Sequence, residues 1–355
     1  MTVLDLVYLR QDRTLQVGAN PTNLVANPVR NEIYAVNTQS GTVSVIDAEA
    51  NRVVATIPVH RLPTFIAVDS TGHRAYVANS GSNTVSVLDL DRRREIAVAG
   101  TGEQPGVDRI SPDGRTLVVS NRGSGSVSIF DISPYNPAAA AEPPPHLRAA
   151  FPGCPGAADA EILPDSSKAF IACSDGHQVM AVGLAAATGS SAAKQNPVLM
   201  TDRMLALLDV GRTPVNLAMK PDGGEIFVSN SASDSISEIT TGTNEVGGTY
   251  MIGSRPVRGI VSHDNGRLWV ANFGADSIAL WSIDDGRLAW SVRTGSAPDA
   301  LAFSDDEHLL LAADAHSGDV AVIRTEGKEG PALFTVLPAG KAPNAIAVKA
   351  IQKKP

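Results

Sequence analysis

The chain has 355 residues and is 43 % hydrophobic, enough to bury a substantial core as one large or two ordinary domains. Twenty-nine basic against 37 acidic residues leave a formal charge of −8, which opposes phosphate backbones and excludes a general nucleic-acid binder. No run reaches the roughly 18 apolar residues of a membrane span, "MTVLDLVYLR" lacks signal-peptide character, and 31 Gly and 23 Pro with 5 % aromatics suit short strands and tight turns.

The chain opens inside a repeated pattern. Asp5 precedes Pro21 by 16 residues, the interval that separates Asp47 from Pro63 and Asp89 from Pro105. "TVLDL" therefore reads as the end of a third strand and "RTLQVG" as a fourth. Complete units then open at Pro21, Pro63, Pro105, Pro155, Pro214, Pro256 and Pro298, with a last opening at Pro343. The spacings are 42, 42, 50, 59, 42, 42 and 45, a period that belongs to stacked or radially arranged units. Asn37, Asn79, Asn121, Asn230 and Asn272 each lie 16 residues after their proline, with Asp314 in the same place and Cys173 two residues late in the fourth unit.

Each unit reads as four short strands, such as "TFIAV", "RAYVAN", "TVSVLD" and "EIAVAG" in the second, with period-two alternation and β-branched enrichment. Turns such as "SPDG" at 111–114 join the first two, Pro presetting one φ and Gly supplying a positive one. Four antiparallel strands make a blade, and blades this small bury their faces only against one another around an axis. The expectation is an all-β propeller in a single domain over 1–355. The recurring Asn is read as a cap on the turn between second and third strands. Two units are enlarged between third and fourth strands, at 133–151 and 184–204; as neighbours, these insertions are either tolerated surface loops or one docking patch.

At the C-terminus "PNAIAV" (343–348) reads as a first strand. Joined to the N-terminal strands (2–18), a C-terminal strand over 343–349 would make a composite closing blade, giving eight blade positions, with seven blades as the alternative. That blade has no second strand in the sequence, which points to residues upstream of Met1.

The repeats "YAVNTQSGTVSVID", "YVANSGSNTVSVLD" and "VVSNRGSGSVSIFD" resemble the YVTN-type β-propeller repeats of bacterial and archaeal surface or periplasmic proteins. The resemblance runs over about residues 2–350 and weakens in the fourth unit. It implies the fold and, by itself, seven blades; it implies no particular activity, because that family has no shared catalytic motif.

Cys154 precedes the first strand of the fourth unit and Cys173 ends its second, positions that adjoin in an antiparallel pair. A disulfide is expected, and with it an oxidising compartment, periplasmic or extracellular. The seven histidines show no metal spacing, no P-loop, G-x-S-x-G elbow or haem motif occurs, and no cofactor is implied. The three tryptophans all fall in the sixth unit, unlike the blade-by-blade tryptophans of quinoprotein dehydrogenases.

Propeller ligands bind where the loops before first strands meet those between second and third strands. Here these carry Arg61, Arg122, Arg212, Arg255 and nearby Arg258, with Asp108, Arg109, Asp159 and Glu161 early in first strands. Such a mouth can take a carboxylate or an acidic protein patch by bidentate pairing, the blander account being solvated rim charges. The expected function is a non-enzymatic binding or scaffold module whose partner is another protein or a small anionic ligand. The alternatives are a metal-dependent lactonase-like hydrolase using Asp108, Asp159 and Glu161, or an accessory subunit of a periplasmic redox complex.

Overall fold

The computed structural model describes residues 1–132, 144–186 and 201–351, in which all regular structure is strand. Seven four-stranded antiparallel sheets follow one another along the chain, from β3 (Pro21–Ala26) through β6 (Arg52–Pro58) in blade one to β27 (Pro298–Phe303) through β30 (Ala332–Pro338) in blade seven. They form a seven-bladed propeller.

The local reasons repeat from blade to blade. A proline opens each first strand but one, at the terminal position where its missing N–H breaks no ladder bond. Second strands such as β8 (Arg74–Asn79) and β12 (Thr116–Asn121) are buried along their whole length, because a neighbouring blade covers each face. The core thus lies between blades: Tyr34, Val36 and Val45 of blade one pack with Ile66, Val77 and Leu88 of blade two. Trp269 of blade six packs with Leu310 and Ala312 of blade seven.

The recurring Asn does more than cap a turn. Asn37 donates from Nδ2 to Thr42 Oγ1 (3.1 Å) and Ser44 Oγ (2.9 Å), five and seven residues on, and Asn79, Asn121 and Asn230 repeat the pair. Three residues before the proline stands a glycine on which that side chain sits. A Cβ at Gly18 would lie 2.7 Å from Asn37, and Gly102, Gly211 and Gly253 are blocked alike by Asn121, Asn230 and Asn272.

The fourth blade corrects the proline count. Its first strand is β15 (Ala157–Ile162), with Ala157 opposite Cys173, so Ala157 rather than Pro155 holds the opening position. On this register Cys154 takes the glycine's place and Cys173 the asparagine's. The expected disulfide joins them, with Cα atoms 4.7 Å apart and both side chains fully buried.

The closing position also departs from expectation. β1 (Thr2–Asp5) and β2 (Arg10–Thr14) form a two-stranded sheet, with Leu4, Leu6 and Leu9 against blade seven and Met1, Val3 and Val17 against blade one. Residues 343–349 form no strand; they lie partly buried against Leu311 and Val320, without a partner to pair with. The eighth, composite blade is therefore not completed, and the ring has seven.

The segments 133–143 and 187–200 of the two expected insertions lie outside the described residues. Their stems meet. Arg148 in β14 (His146–Pro152) grips Asp202, just before β18 (Arg203–Asp209), with Nε and Nη2 at 2.5 and 2.8 Å. Asp202 also accepts from the Ala185 N–H at 2.8 Å.

Candidate functional site: the arginine-bearing mouth and channel wall

The loop that enters each blade is zipped to that blade's second-to-third-strand loop. Gly81 donates to the Arg61 carbonyl (3.0 Å), Arg122 to that of Gln104 (3.0 Å), Ala232 to that of Arg212 (3.1 Å) and Phe273 to that of Arg255 (3.0 Å). Serine hydroxyls take the remaining loop donors, Ser82 from the Arg61 N–H and Ser233 from the Arg212 N–H. Arg61, Arg122, Arg212 and Arg255 therefore sit on one face, all exposed and held by their main chain.

Among the described residues, none of these four guanidinium groups makes a hydrogen bond or ion pair, and neither does that of exposed Arg258. Arg255, at φ 51°, lays its guanidinium 4.9 Å from the Phe273 ring centre, and Phe273 meets His316 edge-on at 5.2 Å. A guanidinium stacked on a ring keeps its N–H edge free for an anion.

Arg258 is in a first strand, and the channel wall beside it is polar. Arg109 Nη2 reaches Asp159 Oδ1 at 3.1 Å and Glu161 Oε1 at 3.3 Å, with its guanidinium carbon 5.0 Å from the Phe65 ring centre. Asp159 also accepts from Asn216 Nδ2 (2.7 Å) and the Leu217 N–H (3.1 Å), while Asn216 Oδ1 accepts from the Gly259 N–H (2.7 Å). Side-chain oxygens of Asp159 and Asn216 thus satisfy main-chain donors of the next first strand, from blade four to blade six. Burial pushes the Glu161 carboxyl up to about 6, with Arg109 opposing. Burial also raises Asp299, against the pull of Arg258.

Asp108 is separated from that group. Alternation along β11 (Pro105–Ile110) puts it on the opposite side from Arg109. It is fully buried with neither carboxyl oxygen hydrogen-bonded among the described residues, and burial lifts it to about 8. The convergence of Asp108 with Asp159 and Glu161 on a metal, which the alternative hydrolase reading invokes, is not seen among the described residues. Among the described residues, no three His, Cys, Asp or Glu side chains are arranged to hold a metal. Phe65, Asn216, Phe273 and Asp299 belong to this region and are not singled out by the sequence reading; their positions one or two residues from the repeat markers Pro63, Pro214, Asn272 and Pro298 are the available signal.

This geometry defines a β-propeller with four exposed arginines on its mouth loops and an internally paired channel wall. A family model described as "Lactonase, 7-bladed beta-propeller" matches residues 259–349, which hold the greater part of the last two blades and the tail. No curated protein matches. Among solved structures, a chain of Kuenenia stuttgartiensis hydrazine synthase is similar at 20 % identity and TM-score 0.63, covering 88 % of this chain and 97 % of that one. A functionally unknown protein from Desulfotomaculum acetoxidans is similar at 15 % identity and TM-score 0.65, covering 88 % and 96 %. Dihydro-heme d1 dehydrogenase NirN is similar at 14 % identity and TM-score 0.68, covering 95 % of this chain and 68 % of that one. At these identities the likeness is one of fold.

Proposed function

We propose that the chain is a non-enzymatic binding propeller of an oxidising compartment, of YVTN type, whose mouth takes an anionic ligand or an acidic patch of another protein. The observation that carries this reading is the set of guanidinium groups at Arg61, Arg122, Arg212 and Arg255 that make no hydrogen bond or ion pair among the described residues, with exposed Arg258 beside them. Several arginines elsewhere on the molecule are matched to carboxylates, as Arg30 is to Asp91 and Arg148 to Asp202. Bidentate N–H forks recognise carboxylate edges, and a concave cationic mouth raises the encounter rate with acidic partners despite the net charge. The buried disulfide supports the compartment.

The test is titration with a polyglutamate peptide at low and moderate salt. The triple variant Arg212→Ala, Arg255→Ala, Arg258→Ala is expected to bind about tenfold more weakly, with a shallower salt dependence and a stability change under about 0.5 kcal/mol. Equal binding by parent and variant would remove the mouth from the proposal.

The family match over 259–349 favours one second reading, a lactonase-like hydrolase working at Asp159 and Glu161. Arg109 already holds both carboxylates. On that reading the Glu161→Gln variant loses lactone turnover; on the binding reading there is no turnover to lose.

A further inference from the structure

One row of side chains runs outward across second, third and fourth strands on the face that each blade turns to the next. To that row the third strands contribute Val45, Val87, Ile129, Ala181, Leu280 and Val322 in every blade but the fifth. The fourth-strand partner of each is Ala in blades one to four, Trp290 in blade six and Thr335 in blade seven. In blade five the two places hold Glu238, in β21 (Ser235–Thr240), and Gly248, in β22 (Glu245–Met251).

The glutamate is turned into the outer part of the seam with blade six. Phe227, its neighbour in the row, packs there with Leu268, Val270 and Trp281. Among the described residues no Lys, Arg or His forms an ion pair with Glu238. The Tyr250 hydroxyl hydrogen-bonds to its carboxylate, and burial followed by that negative charge raises the Tyr250 phenol. Tyr250 is itself held from two sides: its ring centre is 4.7 Å from that of Trp281, and a Cβ at Gly248 would fall 2.3 Å from its hydroxyl oxygen. Gly247 is exposed, and the nearest atom beyond its chain neighbours to a Cβ built on it is Glu238 Oε1, at 3.8 Å. The carboxylate therefore lies beneath a stretch of edge strand that carries no side chain.

The strand ladder does not require this arrangement. Every blade shifts register once between third and fourth strands, and the extra residue there is Val54, Ile96 or Leu205 in blades one, two and four, where blade five has Gly247. A carboxylate in a seam that is otherwise aliphatic destabilises it unless a cation meets it. Paired glycines weaken a strand and mark a place where another molecule approaches closely.

We infer that this notch on the outer rim, between the fourth strands of blades five and six, receives a lysine side chain of a partner protein. The notch is open along β22, so a free amine finds few contacts in it, whereas a side chain is held by the surface that carries it. With Tyr250 donating to the carboxylate, a forked guanidinium lacks the free pair of oxygens that it matches. A compact ammonium needs only one, and it can donate to the Tyr250 Oη as well. The alkyl stem lies along Tyr250 and Leu288, the latter 46 % exposed and opposite Trp281. The notch is apart from the arginine-bearing mouth and does not depend on it.

The probe is the capped peptide acetyl-Leu-Lys-Leu-amide, titrated into the full chain while the amide resonances of Gly247 and Gly248 and the indole of Trp281 are followed by NMR. Saturable shifts at all three are expected at millimolar peptide. The norleucine peptide should not bind, and the arginine peptide and n-butylammonium should each bind at least about threefold more weakly. Glu238→Gln, which keeps the size, and Glu238→Val, which restores the residue of blades one, two and seven, should each weaken lysine-peptide binding at least about tenfold. Glu238→Val should melt at or above the temperature of the parent, because it removes a half-buried charge without a cation partner. Absent shifts, lysine-peptide binding unchanged by either variant, or equal affinity of the norleucine or arginine peptide would overturn the proposal. Equal affinity of n-butylammonium would overturn it too, by assigning the notch to a free amine. So would a Glu238→Val protein that melts more than about 5 °C below the parent, which would make the glutamate a structural partner of Tyr250.

Discussion

On the face that carries the second-to-third-strand loops, Asn37, Asn79, Asn121 and Asn230 tie second to third strands through hydroxyls of their own blades, and the Cys154–Cys173 bond locks the fourth. On the opposite face the work falls to charge: Arg30 holds Asp91 at 2.5 Å, Lys220 holds Glu225 at 3.2 Å, Arg267 holds Glu326 at 2.9 Å and Arg148 holds Asp202. His60, standing where other blades have glycine, is the exception, reaching Glu95 at 3.4 Å. One face is thus joined by neutral and covalent contacts and the other largely by ion pairs. The difference is testable because neutral joints are indifferent to salt and exposed pairs are not.

The largest effect is expected from the covalent joint. Replacing Cys154 and Cys173 together by Ala should cost about 2–5 kcal/mol, because it frees the unfolded chain and empties a site where both side chains are fully buried. Chemical denaturation of the purified variant measures it, and a loss that does not shrink in 1 M salt marks the joint as uncharged. A loss under about 1 kcal/mol would show that the neighbouring packing suffices.

The Arg148→Ala variant probes the other face. It leaves Asp202, 1 % exposed in its side chain, with a carboxylate stripped of its guanidinium and held, among the described residues, by the Ala185 N–H. The expected cost is about 2 kcal/mol, and it should fall as salt rises, since Arg148 itself is 24 % exposed. Equal losses at low and high salt would erase the distinction between the faces.

Much of this was legible in the sequence because a blade is a local object repeated seven times. Proline at strand starts, alternation, and an Asn followed at five and seven residues by hydroxyls each encode one contact over a short span. The disulfide was readable for the same reason. What escaped depends on register or on distance along the chain. Taking Pro155 as the opening of the fourth blade set Asp159, rather than Glu161, level with Arg109, which reaches both across from blade three. Period-two alternation then assigns Asp108 elsewhere, which a list of acidic residues does not. Arg148 and Asp202 are 54 residues apart, at the edges of insertions where the repeat offers no frame. The closing strand at 343–349 was expected from its sequence alone, but a strand needs an edge to pair with.

The smallest expected effect lies on the mouth face, where blade seven breaks the neutral pattern. Asp314 holds the asparagine's place, fully buried, accepting from the Gly295 N–H at 3.0 Å. Burial, and the nearby Asp319, push its carboxyl up to about 7 against the pull of the Gly295 N–H and Thr294. A folded value above the unfolded one means that the protonated form is the one the fold accommodates. Its contribution is complete below about pH 4 and is lost as pH rises through 7. Asn at this position is neutral throughout, and its Nδ2 can donate to Asp319, five residues on, as Asn230 does to Ser235. Asp314→Asn should therefore be about 1 kcal/mol more stable than the parent at pH 8 and lose its advantage towards pH 4. Melting curves of the two proteins across that range decide the matter. If they stay parallel, Asp314 does not titrate with folding, and the seventh joint is as insensitive to charge as the other six.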